Sequence, residues 1–188
     1  MRCRDHERAR AAVAALKLSG ANREVAEYWL SRWHDDRPPS MSGFQQDNIL
    51  QHTPAENIFE IRENEYVRCV KGAGYVKLAA GFDFTNQDML ALTNVADRDE
   101  LLAWMWQIAS GAVCVYHRAY TSKTESNGLA QGVALPFSDK GPGGAHFFLT
   151  HTNWRPVGSD WVEGNVSIDL QLPADKLVIR FKESAPAL

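Results

Sequence analysis

The stretch "DRDELLAWMWQIASG", residues 97–111, predicts the clearest helix of the chain, and the other elements can be ordered around it. Asp97 can cap the first turn, and Glu100, three residues later, completes a capping box. Gly111 suits the left-handed conformation in which many helices end. The apolar residues fall on one half of this helix: Leu101, Leu102, Met105, Trp106, Ile108 and Ala109. We therefore expect half of the helix surface to pack on a core.

The two tryptophans of this helix, Trp104 and Trp106, lie about 200° apart around its axis. They cannot both face the same core. We expect one to face a sheet and the other to face a second surface, formed by the N-terminal helix or by a partner.

Strand-like segments rich in β-branched and aromatic residues lie on both sides of the helix. The predicted strands are 57–61 and 66–71 before the helix, 112–121, 129–137 and 145–154 after it, and an alternating pair within 165–181. The turn-forming stretches "KTESNG" and "SDKGPGG" separate the three strands after the helix, so an antiparallel meander is expected. Strands in antiparallel blocks with helices between them predict an α+β fold, with the helices on one face of one sheet.

Two further helices are predicted near the N-terminus, over 5–18 and 23–34, with Asn22 capping the second. An apolar stripe runs along that second helix: Val25, Ala26, Trp29, Leu30 and Trp33. A stripe with two tryptophans must be covered by other parts of the chain or by a partner.

Composition narrows the class of protein. The chain has 188 residues, of which 45% are hydrophobic, and a net charge of −3, which predicts one packed domain with appendages. It has no basic stripe, which argues against nucleic-acid binding, and no apolar run long enough to span a membrane. The three cysteines are widely spaced, so we expect no disulfide scaffold and a cytoplasmic location. Cys69 and Cys114 lie in apolar runs and are expected to be buried, inert thiols.

The usual catalytic motifs are missing from the sequence. The stretch "KGAGYVKLAAG", residues 71–81, lacks the glycine spacing of a dinucleotide-binding loop and the Gly-Lys-Ser/Thr of a phosphate loop. The six histidines have no metal-binding spacing, and no Gly-x-Ser-x-Gly is present. We therefore expect no catalytic activity and no metal site. The sequence has no haem or flavin signature, so any cofactor is unknown.

Three stretches carry a resemblance to a known family. They are "EYWLSRWHDDRPPSMSGFQQDNI", "FEIRENEYVRCVKGAGYVKLAAGFDFTNQDML" and "GVALPFSDKGPGG". In this order and spacing they resemble a divergent PAS-domain family that is common in alphaproteobacteria. The residues that match its pattern are Tyr28, Trp29, Arg37, Pro38 or Pro39, Arg68, Gly72, Gly81, Asp83, Phe84, Thr85, Leu135, Pro136, Phe137 and Ser138. Asn86 and Ala73 depart from it, since the family has glycine and a small hydroxyl residue there.

The resemblance implies a five-stranded antiparallel sheet and a stand-alone sensory or regulatory module rather than an enzyme. It divides the chain into an N-terminal helical extension (1–22), a PAS-like domain (23–157) and a strand-rich C-terminal extension (158–188). It also implies a homodimer formed through the N-terminal helix, which would cover Trp29 and Trp33.

The ligand of such a module would lie between the sheet and the central helices. The candidate ligand-binding residues are Arg68, Tyr75, Phe84, Met105, Tyr116 and Phe148. Arg68 is the polar candidate, as an anchor for an anionic ligand or a buried carboxylate, and otherwise an exposed strand cation. The alternative function is a ligand-free adaptor that docks a signalling partner through its tryptophan-bearing helices.

Overall fold

The structure is a computed structural model, and it describes residues 4–34, 37–45, 56–63, 65–72, 83–122, 127–153, 166–168 and 175–180. The helices are α1 (Arg4–Ala15), α2 (Gly20–Ser31), α3 (Met41–Gln45), α4 (Met89–Leu92) and α5 (Arg98–Ala109). The strands are β1 (Glu56–Arg62), β2 (Tyr66–Lys71), β3 (Ala112–Ser122), β4 (Asn127–Lys140), β5 (His146–Asn153), β6 (Val166–Ile168) and β7 (Asp175–Arg180). None of the helices in these ranges is both long enough and apolar enough to cross a membrane.

The strands form one antiparallel sheet, and five of them follow the order β2-β1-β5-β4-β3. β6 and β7 both pair with the remaining side of β3, β7 along residues 112–117 and β6 along residues 120–122. The predicted α+β class and the five-stranded antiparallel sheet are confirmed. The two short strands near the C-terminus extend that sheet beside β3.

Helices cover both faces of the sheet, so the prediction that they lie on one face is wrong. Side chains alternate between the faces along each strand. Phe59 of β1 lies on one face, which packs against α4 and α5 and which we call the α5 face. Ile58 lies on the other face, which packs against α1, α2 and α3 and which we call the α2 face. Of the apolar stripe predicted on the second helix, Val25, Ala26, Trp29 and Leu30 are therefore buried within the same chain.

Helix α5 begins at Arg98, one residue after the predicted cap. The side chain of Asp97 makes no capping bond, because a 3₁₀ turn over Val95–Asp97 precedes the helix and Asn94 caps that turn. Gly111 follows the helix with a φ of 112°, as its predicted role requires. Trp104 is buried towards the sheet, whereas Trp106 is half-buried beside His146, with ring centroids 5.1 Å apart.

Helix α2 begins at Gly20, so the prediction that Asn22 caps it is wrong. Asn22 lies inside the first turn and is fully buried against the sheet. The domain boundary predicted after residue 22 falls within this helix, and the boundary predicted at residue 157 lies outside the described residues.

Candidate functional site

Four of the six predicted ligand-binding residues come together on the α5 face. Phe84 precedes α4, Met105 lies on α5, Tyr116 on β3 and Phe148 on β5. Each has 7% or less of its surface exposed. Tyr75 lies outside the described residues. Residues from separate parts of the chain therefore lie together between the sheet and the helices α4 and α5.

Aromatic contacts connect this group. The ring of Phe148 stacks on that of Phe59, with centroids 5.2 Å apart. Tyr116 meets Trp104 edge to face at 5.5 Å, and the indole Nε1 of Trp104 donates a hydrogen bond to Cys114 Sγ at 3.2 Å. In the described part of this face, these side chains pack on one another as a layer.

Tyr116 crosses the sheet. Its hydroxyl lies 2.9 Å from Thr152 Oγ1 on β5, although β4 separates the two strands. Gly132 of β4 pairs with both Tyr116 and Thr152. A Cβ at position 132 would lie 2.2 Å from the Tyr116 ring. A glycine in the interior of a strand often marks such a close approach, and this signal was available in the sequence.

Arg68 does not belong to this group, because it projects from the other face of the sheet. It pairs with Glu60 across β1 and β2, whereas its neighbours Val67 and Cys69 face α5. Its guanidinium contacts the Glu60 carboxylate at 2.5 Å, and the Tyr66 hydroxyl donates to the same carboxylate at 2.6 Å. Of the roles considered for Arg68, the structure shows the partner of a buried carboxylate, at a strand position where the arginine side chain is itself exposed.

Glu60 keeps its negative charge despite being 6% exposed. Burial by itself would raise its pKa, but the hydrogen bonds from Arg68 and Tyr66 and the nearby positive charges outweigh burial and lower that pKa. The hydrogen bond between Arg68 and Glu60 also raises the pKa of Arg68. This carboxylate and its partners therefore act as a structural unit on the β1–β2 hairpin.

A turn over residues 83–88 holds Phe84 in place. Asn86 has a φ of 64°, so it adopts the left-handed conformation, which asparagine tolerates better than most residues. Its backbone N–H donates to Cys69 O at 2.7 Å, and Asp88 caps α4 by accepting from Leu90 N. A turn that leads into helix α4 therefore lies beside β2.

The two cysteines predicted to be inert are buried. Burial raises the pKa of Cys69 to about 12, so its thiol stays protonated at neutral pH. Within the described residues, no three His, Cys, Asp or Glu side chains lie close enough together to hold a metal ion.

A buried polar network on the α2 face was not predicted from the sequence. His151 Nδ1 lies 2.6 Å from Asn22 Oδ1, and Asn22 Nδ2 donates to Gln131 O at 2.9 Å. Gln131 Oε1 accepts from Ser19 N, and its Nε2 donates to Lys17 O. The network joins the start of α2 to β4 and β5.

The chain itself covers Trp29, which has 0% exposure. Its Nε1 donates to Pro136 O at 2.8 Å. Trp33 is half-buried, between the ring of Trp29 at 5.2 Å and the ring of His6 at 5.4 Å. The resemblance implied that a second chain covers Trp29, but the chain itself supplies this cover.

Comparison of the chain with models of known families, with curated proteins and with solved structures gives no match.

Proposed function

We propose that the chain is a PAS-like sensory or regulatory module that binds a small molecule, a signalling partner protein or both, without catalysis. The gathering of Phe84, Met105, Tyr116 and Phe148 on the α5 face carries this proposal. The order of the elements supports it, because two strands, short helices, a longer helix and three strands make up the plan that the resemblance implies. The proposed location is cytoplasmic.

Mass spectrometry of one purified sample tests the ligand. In native conditions we expect the 21.0 kDa chain to carry an added mass that is lost on denaturation. Phe148→Ala should reduce the bound fraction, whereas Val95→Ala, an exposed apolar residue outside this group, should leave it unchanged. A chain with no added mass in any preparation, and no stabilisation by a metabolite panel in thermal-shift assays, would rule out the ligand.

The adaptor alternative is favoured by one observation, the mutual packing of the aromatic side chains on the α5 face. A ligand-free chain would then act through its surface.

A homodimer through the N-terminal helices is part of the same proposal. Light scattering should give a mass of twice 21.0 kDa for such a dimer. Trp33→Ala should convert it to a monomer, whereas Trp106→Ala, a half-buried tryptophan on the opposite face, should not. A monomeric wild-type chain would contradict the dimer.

A further inference from the structure

A concave site lies away from the α5 face, between the end of α2 and the start of α3. Its volume is about 610 Å³, which is within the range of small-molecule sites. We call it the Arg37 cleft. Its lining residues are Arg32, His34, Arg37, Pro38, Pro39, Ser40, Gly43, Phe44 and Ser138.

The walls of the Arg37 cleft are fixed by hydrogen bonds. His34 and Arg37 exchange two backbone bonds, of 3.2 and 3.0 Å. Pro39 O accepts from Ser138 N of β4 at 3.0 Å. The neighbouring Met41 N donates to Asp139 Oδ1 at 2.7 Å, which ties α3 to the same strand. A preformed site of this kind loses little conformational entropy when it binds a ligand.

The lining residues include two arginines. Arg32 and Arg37 carry permanent cations, His34 lies beside them, and Ser40 and Ser138 add hydroxyl groups. Arg32 is the C-terminal cap residue of α2, and its guanidinium lies over the Tyr28 ring at 5.6 Å. Arg37 is different: in the described ranges its guanidinium has no carboxylate partner. A guanidinium in this position is suited to a carboxylate or a phosphate.

The remaining lining is apolar. Pro39 and Phe44 are buried, and the ring of Phe44 is held between Tyr28 and Phe137, at 5.1 and 5.4 Å. The cleft therefore combines a cationic side with a rigid apolar floor. We propose that the Arg37 cleft binds a small organic anion, with a carboxylate or phosphate group towards Arg37 and a compact apolar body against the prolines and Phe44.

This site is independent of the ligand proposed for the α5 face. The probes are benzoate and phenyl phosphate, with benzamide as a neutral analogue of similar shape, and binding is measured by NMR shifts and calorimetry on the full chain. We expect saturable binding of one or both anions and none of benzamide. Preference for benzoate or for phenyl phosphate identifies the anionic group.

Arg37→Gln should weaken anion binding about tenfold and leave the circular dichroism spectrum and melting temperature unchanged. Lys71→Gln, which removes one positive charge from an exposed position on β2, should bind as the wild type does. An equal loss in both variants would show a general charge effect and overturn the proposal.

Two carboxylates, Asp35 and Asp36, follow His34 in the sequence and lie outside the described residues. Asp35→Asn/Asp36→Asn should raise anion affinity only modestly. If the wild type does not bind either anion and this double variant does, the cleft is neutralised by its own chain and the proposal is wrong. The proposal is also overturned if neither the wild type nor the double variant shows saturable anion binding, or if benzamide binds as well as the anions do.

Discussion

At the scale of single residues, the close approach of Tyr116 to Gly132 decides how the α5 face is packed. The tyrosine ring occupies the space that any side chain at position 132 would need. Only this crossing lets the Tyr116 hydroxyl reach Thr152, two strands away. The candidate pocket residue Tyr116 thus also stabilises the sheet, and its phenol is already engaged in a hydrogen bond.

Gly132→Ala should lower the free energy of unfolding by about 2–4 kcal/mol, because the ring must move and its buried hydrogen bond is lost. Urea denaturation measures this. Gly20→Ala is the matched control, since a Cβ there meets nothing within 4 Å, and it should be neutral or slightly stabilising. In a Tyr116→Ala background the cost of Gly132→Ala should shrink. If Gly132→Ala destabilises the Tyr116→Ala variant as much as it destabilises the wild type, the Tyr116 ring is not the cause of the loss.

Arg68→Ala should destabilise the fold by about 1–2 kcal/mol, a value reduced from that of a buried pair because the Arg68 side chain is 47% exposed. The loss arises because the buried Glu60 carboxylate keeps its charge without its cationic partner. The pKa of Glu60 is lower in the folded chain than in the unfolded chain. The contribution of Glu60 to stability is therefore present above its pKa in the unfolded chain, and it is lost as the pH falls through its pKa in the folded chain.

The control for Arg68→Ala is Glu60→Gln, measured by urea denaturation at neutral pH. Once Glu60 is neutral, adding Arg68→Ala should cost less than it does in the wild type. An equal cost in both backgrounds would show that Arg68 acts through something other than this carboxylate.

At the scale of elements, α2 is positioned by polar contacts as well as by its apolar stripe. Asn22 offers its amide oxygen to His151 and its amide N–H groups to Gln131, so one side chain bonds to two strands. Because the network forms only when Asn22 lies beside both Gln131 and His151, it can specify where along the sheet the helix begins.

Asn22→Ala should cost about 2–4 kcal/mol, because buried donors and acceptors on two strands lose their partner. Alanine is the better helix former, so helix propensity alone predicts the opposite sign. Glu27→Ala, an exposed residue of the same helix, should change stability by no more than about 0.5 kcal/mol. Denaturation curves of the three proteins compare the two effects, and a stabilised Asn22→Ala variant would contradict the role of the network.

At the scale of the whole molecule, the regular elements were predictable and the long-range contacts were not. Helix α5 and strands β1–β5 follow from periodicity and turn residues, which act over a few positions. The helical stripe with Trp29 and Trp33 predicted burial but not which face of the sheet would supply it. Period-two alternation could have separated Arg68 from Val67 and Cys69. No local pattern links Asn22 to His151, because 129 positions separate them.

The covering of both faces of the sheet makes the stability of the whole molecule depend on pH through His151. This residue is 3% exposed under the N-terminal helices, and burial lowers its pKa from 6.5 to about 4. Between pH 4 and pH 6.5, His151 therefore binds a proton in the unfolded chain but not in the folded chain. The free energy of unfolding should therefore be highest above pH 6.5 and should fall as pH drops towards 4.

The difference of about 2.5 pH units (6.5 − 4) corresponds to about 3 kcal/mol. Urea denaturation at pH 7.5, 6, 5 and 4.5 measures the fall in the wild type and in His151→Asn. The amide nitrogen of asparagine lies near the position of the imidazole Nδ1 that contacts Asn22 Oδ1, but asparagine does not titrate. The variant should therefore lose this part of the pH dependence and keep the part that arises from carboxylates. If the folded chain buries a neutral imidazole at position 151, the wild type must lose more stability than the variant as the pH falls. Equal slopes for the two proteins between pH 6.5 and 4.5 would therefore show that protonation of His151 does not limit stability.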